Sequence, residues 1–346
     1  MLQTKSVRLD MIGSIMFIVR TGWIKERGLL ALMWLTYSVF AAICFGLRGI
    51  LYHWTSQKPL NRNLLLCGTF SMGAIINGIC ALAFSSSWTM AALIGIQMGL
   101  FSFGANASMF KGFAVGKASL VAILTALPSV VVVIVAFGLW REKLHAMQLI
   151  AFVVIVGGVL LVRMSNDISL RNLQGAQWGV LAMLLFAAND LSGKWSTMME
   201  ADLFPTMFFM FVTGAACFGI WWLRDLQSER GKQARSLQSL SAAGGEVRVS
   251  QHASNRFAAP NTSMWSDKRT FLVGLAVGTT NAVGMMLIIT AFDLGKAGLV
   301  SAVTALNVLI VLLYTRFVVK EKFTKAEITG ISLAFAGILL MRLFGA

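Results

Sequence analysis

The stretch Gly116-Lys117-Ala118-Ser119-Leu120-Val121 occurs again, with one substitution, as Gly295-Lys296-Ala297-Gly298-Leu299-Val300. The repetition extends well beyond this motif, because residues 113–163 align without a gap with residues 292–342, at a constant offset of 179 (292 − 113 = 179). Roughly a third of the aligned positions are identical, which is more than shared hydrophobicity alone would produce. The chain therefore contains an internal duplication, and its fold must accommodate two copies of one unit.

The composition of the chain places both copies in a membrane. Of its 346 residues, 57% are hydrophobic and only 12% are charged, whereas a soluble domain carries about 25% charged residues. A helix needs about 20 mostly apolar residues to cross a bilayer. Runs of this kind lie at 29–51, 63–84, 89–110, 118–140, 145–163, 176–195, 205–223, 270–292, 297–319 and 326–343.

Each copy contains five of these predicted helices. Because five is odd, consecutive copies must enter the membrane from opposite sides, which is the inverted arrangement of many secondary transporters. We therefore predict an all-α membrane protein of about ten transmembrane helices, built as two inverted five-helix repeats over residues 28–164 and 175–343. Residues 1–27 are expected to be an N-terminal tail, either interfacial or a non-native start. Residues 225–269 are poor in large apolar side chains and are predicted to be a flexible insert in the second repeat.

Three motifs follow one another in the first copy. The Gly-Lys-Ala-Ser-Leu-Val stretch is followed by an apolar helix, then by Arg141-Glu142-Lys143-Leu144, and then by a helix that ends in Gly157-Gly158-Val159-Leu160-Leu161-Val162. This order resembles the EamA repeat of the drug/metabolite transporter (DMT) superfamily, and it occurs twice. The resemblance implies ten helices and a central cavity through which metabolites, amino acids, sugars or drugs are exported or imported. It also matches Glu142 and Glu321 to an acidic position of the family, where we interpret them as structural residues at helix ends.

The resemblance leads to an expected function. The chain is expected to be a secondary transporter, not an enzyme, that moves a small metabolite, amino acid or drug across the plasma (inner) membrane by alternating access. Its expected partners are a small-molecule solute and the lipid bilayer, while proton or ion coupling, and a monomer or homodimer, stay open. The alternatives are a non-transporting membrane sensor or assembly subunit, and a membrane-embedded enzyme that acts on lipid-linked substrates. Lys and Arg counts leave the orientation open, whereas the resemblance implies that both termini are inside.

Several other kinds of site are not expected. The net charge of +15 would suggest nucleic-acid binding in a soluble protein, but here the basic residues lie in short gaps between apolar runs, where they meet lipid headgroups. The three His and four Cys residues are scattered, and neither an HExxH nor a GxSxG motif is present. No catalytic residue, metal site, disulfide or cofactor is therefore predicted.

Polar side chains within the predicted spans are the candidates for a functional site, because each costs free energy in hydrocarbon unless it meets a partner or water. Asp190 is the one acidic residue well within a span, where it could take a proton or cation, or could pair with Lys194 at i+4. Arg48 is a candidate for binding an anionic solute or a headgroup. The polar cavity candidates could instead bond a neighbouring helix, and the proline among them is expected to kink its helix. These cavity candidates are Tyr37, Ser102, Asn106, Pro128, Asn189, Asn281 and Asn307.

Overall fold

The computed structural model describes residues 33–115, 118–164, 175–242, 265–320 and 324–344. All regular structure in these residues is helical. Eight of the helices are long and apolar enough to cross a membrane. The predicted all-helical membrane class is therefore confirmed, whereas eight spans, and not ten, meet these criteria. The predicted tail at 1–27 lies outside the described residues.

The described residues of the first half contain six α-helices. They are α1 (Met33–Ser56), α2 (Arg62–Ala83), α3 (Ile94–Val115), α4 (Ala118–Leu124), α5 (Pro128–Trp140) and α6 (Ala146–Met164). Together α4 and α5 occupy the fourth predicted span. The sixth segment falls short of the spanning criteria because its apolar part, Ala146–Val162, is short.

In the described residues of the second half, six α-helices match those of the first. They are α7 (Ala176–Met198), α8 (Leu203–Ala242), α9 (Asp267–Leu294), α10 (Ala297–Thr304), α11 (Asn307–Tyr314) and α12 (Lys325–Phe344). Of these, α7 is not among the eight apolar spans. It carries Asn189, Asp190 and Lys194 along one stretch, which makes it more polar than its neighbours.

The two halves pack against each other through equivalent contacts. Gly73 of α2 lies against the ring of Phe211 in α8, and Gly214 of α8 lies against the ring of Phe70 in α2. Both pairs of equivalent residues differ by 141 (214 − 73 and 211 − 70), so the second contact is the image of the first. The rings of Phe70 and Phe211 stand 5.7 Å apart between the two glycines. Such reciprocal contacts are those of a twofold relation between the halves.

Helices α6 and α12 make reciprocal contacts of the same kind, between residues that differ by the repeat offset of 179. A side chain at Gly158 would collide with the carbonyl oxygen of Gly330, and one at Gly337 would collide with the side chain of Ile155 and lie in tight contact with the carbonyl oxygen of Ala151. Here the equivalent residues differ by 179 (337 − 158 and 330 − 151). Small residues let helix backbones approach closely in lipid, where apolar surface alone does not hold helices together. The two-repeat layout predicted from the sequence fits this packing.

The first part of the predicted flexible insert at 225–269 lies within α8, which continues as a helix to Ala242. Residues 224–242 contain Arg, Gln, Leu, Lys, Glu and Ala but no proline, and these residues favour helix. The membrane-spanning part of α8 also supplies the nucleus, so that each further turn adds at little cost. Residues 243–264 lie outside the described part of the chain.

Both halves break their fourth helix at the same place. The chain leaves the helix after Leu124 and enters it again at Pro128, and in the second half it leaves after Thr304 and enters again at Asn307. The kink expected at Pro128 is therefore a complete interruption, with proline at the first position of α5. The second break occurs without a proline and was not predicted. Interrupted helices of this kind leave backbone carbonyl groups unpaired near the middle of a span.

Candidate functional site

A cavity of about 500 Å³ lies between the two halves, next to both helix breaks. Helices α1, α3, α7 and α9 contribute to its wall, together with Thr125, Ala126 and Ala305 at the breaks. The structure brings eight of the sequence-predicted candidates to this cavity. They are Arg48, Ser102, Asn106, Pro128, Asn189, Asp190, Asn281 and Asn307.

Arg48 enters the cavity wall from the second half of α1. Its guanidinium donates a hydrogen bond to the side-chain oxygen of Asn281 on α9. The same group lies 4.6 Å from the ring centre of Phe45 and 5.8 Å from that of Tyr52. Within the described residues no carboxylate lies at ion-pair distance from Arg48. This permanent cation is therefore held by a neutral amide and by two aromatic faces.

Asp190 enters the wall from α7. Its Oδ2 accepts a hydrogen bond of 2.6 Å from the hydroxyl of Ser301 on α10. The alternative in which Asp190 pairs with Lys194 is wrong, because the ammonium group of Lys194 has other partners. It donates to the carbonyl oxygens of Phe292 (2.6 Å) and Gly295 (2.9 Å). The end of α9 thus draws Lys194 away from Asp190.

Lys194 belongs to a polar cluster that ties three segments together. Its ammonium lies 3.7 Å from Oε1 of Glu142, and Oε2 of Glu142 accepts a bond of 3.0 Å from the backbone N–H of Ala297. Lys296 in turn donates to Oε1 of Gln148 (2.8 Å) and to the backbone oxygen of Lys143. We call the contacts of Glu142, Lys194 and Lys296 the clamp. It joins the end of α7, the connection before α6 and the α9–α10 connection.

The surroundings of Lys296 in the clamp displace its pKa. Burial of its ammonium lowers the pKa from the ordinary lysine value, and the carboxylate of Glu142 offsets part of that change. Glu142 therefore stabilises two cations, one by a close contact and the other at longer range. These contacts place Glu142 between three segments of the chain, in addition to its position at a helix end.

The clamp lies beyond one end of the cavity. Asp190 lines the cavity and stands four positions before Lys194 of the clamp. Ser301 also lines the cavity and stands four positions after Ala297, whose N–H is bound by Glu142 of the clamp. Four residues of helix span about 6 Å. Trp34, near the start of the described part of α1, packs at Gly295 beside the clamp. The lining residues of α1 begin only at Phe45 and continue away from the clamp.

Tyr37 does not line the cavity. It packs against the hydrophobic core, on α1, two turns nearer the clamp than the first lining residue of that helix, Phe45. Asn106 lines the cavity and uses its amide N–H on the backbone of its own helix, at the carbonyl oxygen of Ser102 (2.7 Å). Of the candidate cavity residues, only Tyr37 lies outside its wall.

Two buried polar atoms in the wall have no hydrogen-bond partner among the residues that the structure describes. They are Oδ1 of Asn189 and Oγ of Ser129. Leaving such an atom unpaired costs about 1–3 kcal/mol, so each normally has water or a ligand as its partner. Ser129 was not predicted, although it follows Pro128 directly and the proline drew attention to that turn.

Other residues of the wall were also missed by the sequence analysis. Tyr52 lies one turn after Arg48, and Thr304 lies one turn after Ser301. The spacing of Tyr52 from Arg48 (i, i+4) and of Thr304 from Ser301 (i, i+3) indicates a shared helix face. Serine and threonine in a helix usually bond their own backbone, however, so this spacing alone does not predict a site. Thr304 makes such a bond, at the carbonyl oxygen of Val300 (2.8 Å). The part of the chain that the structure describes has no group of three or more His, Cys, Asp or Glu side chains that could hold a metal ion.

The comparisons with known proteins agree with this architecture. The model of the EamA-like transporter family matches residues 32–164 and 253–343, which together exceed half of the chain. No curated protein matches the chain. One solved structure, described only as a crystal structure of a protein, matches with a TM-score of 0.64 over 92% of this chain and 98% of its own, at 13% identity. At that identity the likeness shows the fold alone.

Proposed function

We infer, from the fact that this chain belongs to the EamA-like transporter family, that it is a secondary transporter that carries a small polar solute through the cavity between its two halves. The observation that carries this proposal is the pair of unpartnered polar atoms in the cavity wall, Asn189 Oδ1 and Ser129 Oγ. Ser129 lies at the start of α5, directly after the first helix break. Asn189 is the neighbour of Asp190, which contacts Ser301 on the interrupted helix of the second half. In transporters built from inverted repeats, interrupted helices near the middle of the membrane form the solute site.

Alternating access is the proposed mechanism. In this conformation, the clamp joins α7, the connection before α6 and the α9–α10 connection beyond one end of the cavity. For solute to pass this end, Lys194 must leave the carbonyl oxygens of Phe292 and Gly295, and Glu142 must leave Ala297. The twofold relation between the halves supports an exchange of conformations, because each half can adopt the arrangement that the other has now.

The site of action and the coupling belong to the same proposal. We place the protein in the plasma (inner) membrane as a multi-pass carrier. Asp190 is the proposed coupling residue, because it is a carboxylate in the cavity wall whose described partner is a hydroxyl group and not a cation. A proton or a cationic group of the solute would compensate its charge.

The experiment compares two asparagines that differ in position. Asn189 and Asn77 are both buried, and each has an unpartnered side-chain oxygen, but only Asn189 lines the cavity. Purified protein is screened by thermal shift against amino acids, sugars, carboxylates, amines and cationic drugs, and the hits are tested for uptake into proteoliposomes. We expect Asn189→Ala to reduce uptake about 5–150-fold, since the loss of a buried hydrogen bond costs about 1–3 kcal/mol.

The matched control is Asn77→Ala, which removes a bond to the backbone oxygen of Gly73 and is expected to lower thermal stability while uptake per folded molecule is kept. Equal loss of uptake in the two variants would contradict the assignment of the cavity. Absence of transport of every solute class by the wild-type protein would contradict the proposed function.

A further inference from the structure

The cavity contains one cationic and one anionic side chain that do not neutralise each other. Arg48 and Asp190 both line it, and neither has an ion-pair partner within the described residues. Each is held by a neutral group: Arg48 by Asn281 from the other half of the molecule, and Asp190 by Ser301 from the same half. A charge in a membrane-embedded wall costs free energy unless an opposite charge or water compensates it.

The surroundings of Arg48 leave most of its hydrogen-bonding capacity unused. A guanidinium has five N–H donors in one plane, arranged to bind a carboxylate or phosphate through two parallel bonds. The described contacts of Arg48 use one donor on Asn281, while the rings of Phe45 and Tyr52 lie against its charge. Aromatic rings hold a guanidinium in place without consuming its N–H groups. Arg48 is therefore oriented and still available to an anionic group.

The surroundings of Asp190 leave most of its hydrogen-bond acceptor positions unused. One carboxylate oxygen, Oδ2, accepts the hydroxyl proton of Ser301 at 2.6 Å. A carboxylate offers about four acceptor positions on its two oxygens. The lysine that could have filled them, Lys194, is engaged by Glu142 and by two backbone oxygens. Asp190 is therefore available to a cationic group.

We propose that the transported solute is a zwitterion, with an anionic group bound by Arg48 and Asn281 and an ammonium group bound by Asp190 and Ser301. The inference rests on the proposed transport function and narrows its solute class. A zwitterion compensates both side chains at once and leaves the occupied cavity neutral overall. A plain anion would leave Asp190 without a counter-charge, and a plain cation would leave Arg48 without one.

The experiment uses matched series of ligands with the full-length protein in detergent and in proteoliposomes. Each series contains an α-amino acid, its deaminated carboxylic acid, its amide and its uncharged alcohol analogue, with side chains from methyl to indole, and glycine betaine is added as a quaternary zwitterion. We expect at least one amino acid to bind and to be transported, with its acid and its amide at least tenfold weaker.

Two variants make the assignment specific. Arg48→Gln should abolish the preference for the amino acid over its amide, because the carboxylate then has no cationic partner. Asp190→Asn should abolish the preference for the amino acid over its deaminated acid. Thr279→Ala is the control: Thr279 is a partly buried residue of α9 that bonds its own helix and is absent from the cavity wall, so both preferences should remain in this variant.

The outcomes separate this inference from the function on which it rests. Transport of a deaminated acid as fast as its amino acid, with uptake of one proton, would overturn the zwitterion in favour of an anion–proton pair on the same two residues. Transport of uncharged or singly charged solutes alone would also overturn it and leave the transport function standing. Failure of every class in both assays would overturn the proposed function itself.

Discussion

The substitution Glu142→Gln tests whether the clamp holds one end of the cavity closed. The amide can still accept the N–H of Ala297, now at 3.0 Å from Glu142, but it removes the negative charge 3.7 Å from the ammonium of Lys194. The side chains of Lys194 and Glu142 are only 13% and 17% exposed. Salt therefore screens this pair much less than it screens a surface pair.

The expected size of the effect follows from this geometry. Two unit charges at this distance attract by about 4 kcal/mol at an effective dielectric constant of about 20. Desolvation of both ions offsets more than half of that attraction, which leaves a net loss of about 1–2 kcal/mol. A change of this size alters an equilibrium constant by about 5–30-fold. We therefore expect the clamped state to lose about one order of magnitude in population relative to the opened state.

The assay measures how fast a reagent reaches the clamp end of the cavity from each face of the membrane. A single cysteine replaces Ile288, which lines the cavity on α9, in a background that lacks the native cysteines 44, 67, 80 and 217. Oriented vesicles are treated with a membrane-impermeant maleimide. The rate of labelling from the clamp face should rise about tenfold in the Glu142→Gln variant.

Glu327→Gln provides the matched control, because Glu327 is a carboxylate of similar burial that caps α12 through Thr324 and lies outside the clamp. It should leave the labelling rate unchanged. An unchanged rate in a folded Glu142→Gln variant would refute the argument that the clamp closes this end. A rise of equal size in both variants would show that loss of any helix-end carboxylate loosens the fold.

Three further predictions concern the clamp, the helix packing and the insert. Because the carboxylate of Glu142 partly restores the pKa of Lys296 that burial lowers, Glu142→Gln should lower this pKa further. The rate of Lys296 acylation should then rise at lower pH, and an unchanged pH–rate profile by mass spectrometry would count against the electrostatic contact. Gly158→Ala should destabilise the protein by about 1–3 kcal/mol, since the new methyl group would meet backbone atoms of α12, whereas Gly157→Ala, with open space around it, should be neutral or stabilising by thermal unfolding. Deletion of residues 227–264 removes 38 residues, the difference between the two repeat offsets (179 − 141), and should leave uptake unchanged; loss of transport in a folded deletion variant would give the insert a part in the mechanism.

Much of the architecture could be predicted because it depends on periodic and repeated features of the sequence. The duplication around Gly116 and Gly295 and the long apolar runs determine where helices lie, and they do so independently of contacts with distant parts of the chain. The polar residues of the spans also predicted more than half of the polar residues of the cavity wall, since a membrane protein places Asn281 or Asp190 in hydrocarbon only where a partner, water or ligand meets it. The predicted roles of these residues in transport stay predictions.

The missed features depend on contacts between distant parts of the chain. Lys194 stands one turn from Asp190, but its partners on α9 and before α6 are about 50 to 100 residues away in sequence, and no local pattern announces them. The break after Thr304 has no proline to mark it. The extension of α8 was missed because a composition that cannot form a core can still continue a helix that the membrane has already nucleated.

The reciprocal glycine contacts have a consequence for the origin of the chain. Each half carries both a phenylalanine and the glycine that receives its equivalent: Phe70 and Gly73 in one half, and Phe211 and Gly214 in the other. A surface that contains both members of such a contact is complementary to itself. A half-length ancestor inserted in both orientations would therefore have had a self-complementary homodimer interface. Gene fusion would then have joined two subunits that already formed this interface. Separately expressed halves of the present chain, divided between residues 164 and 175, retain that complementarity in their sequences.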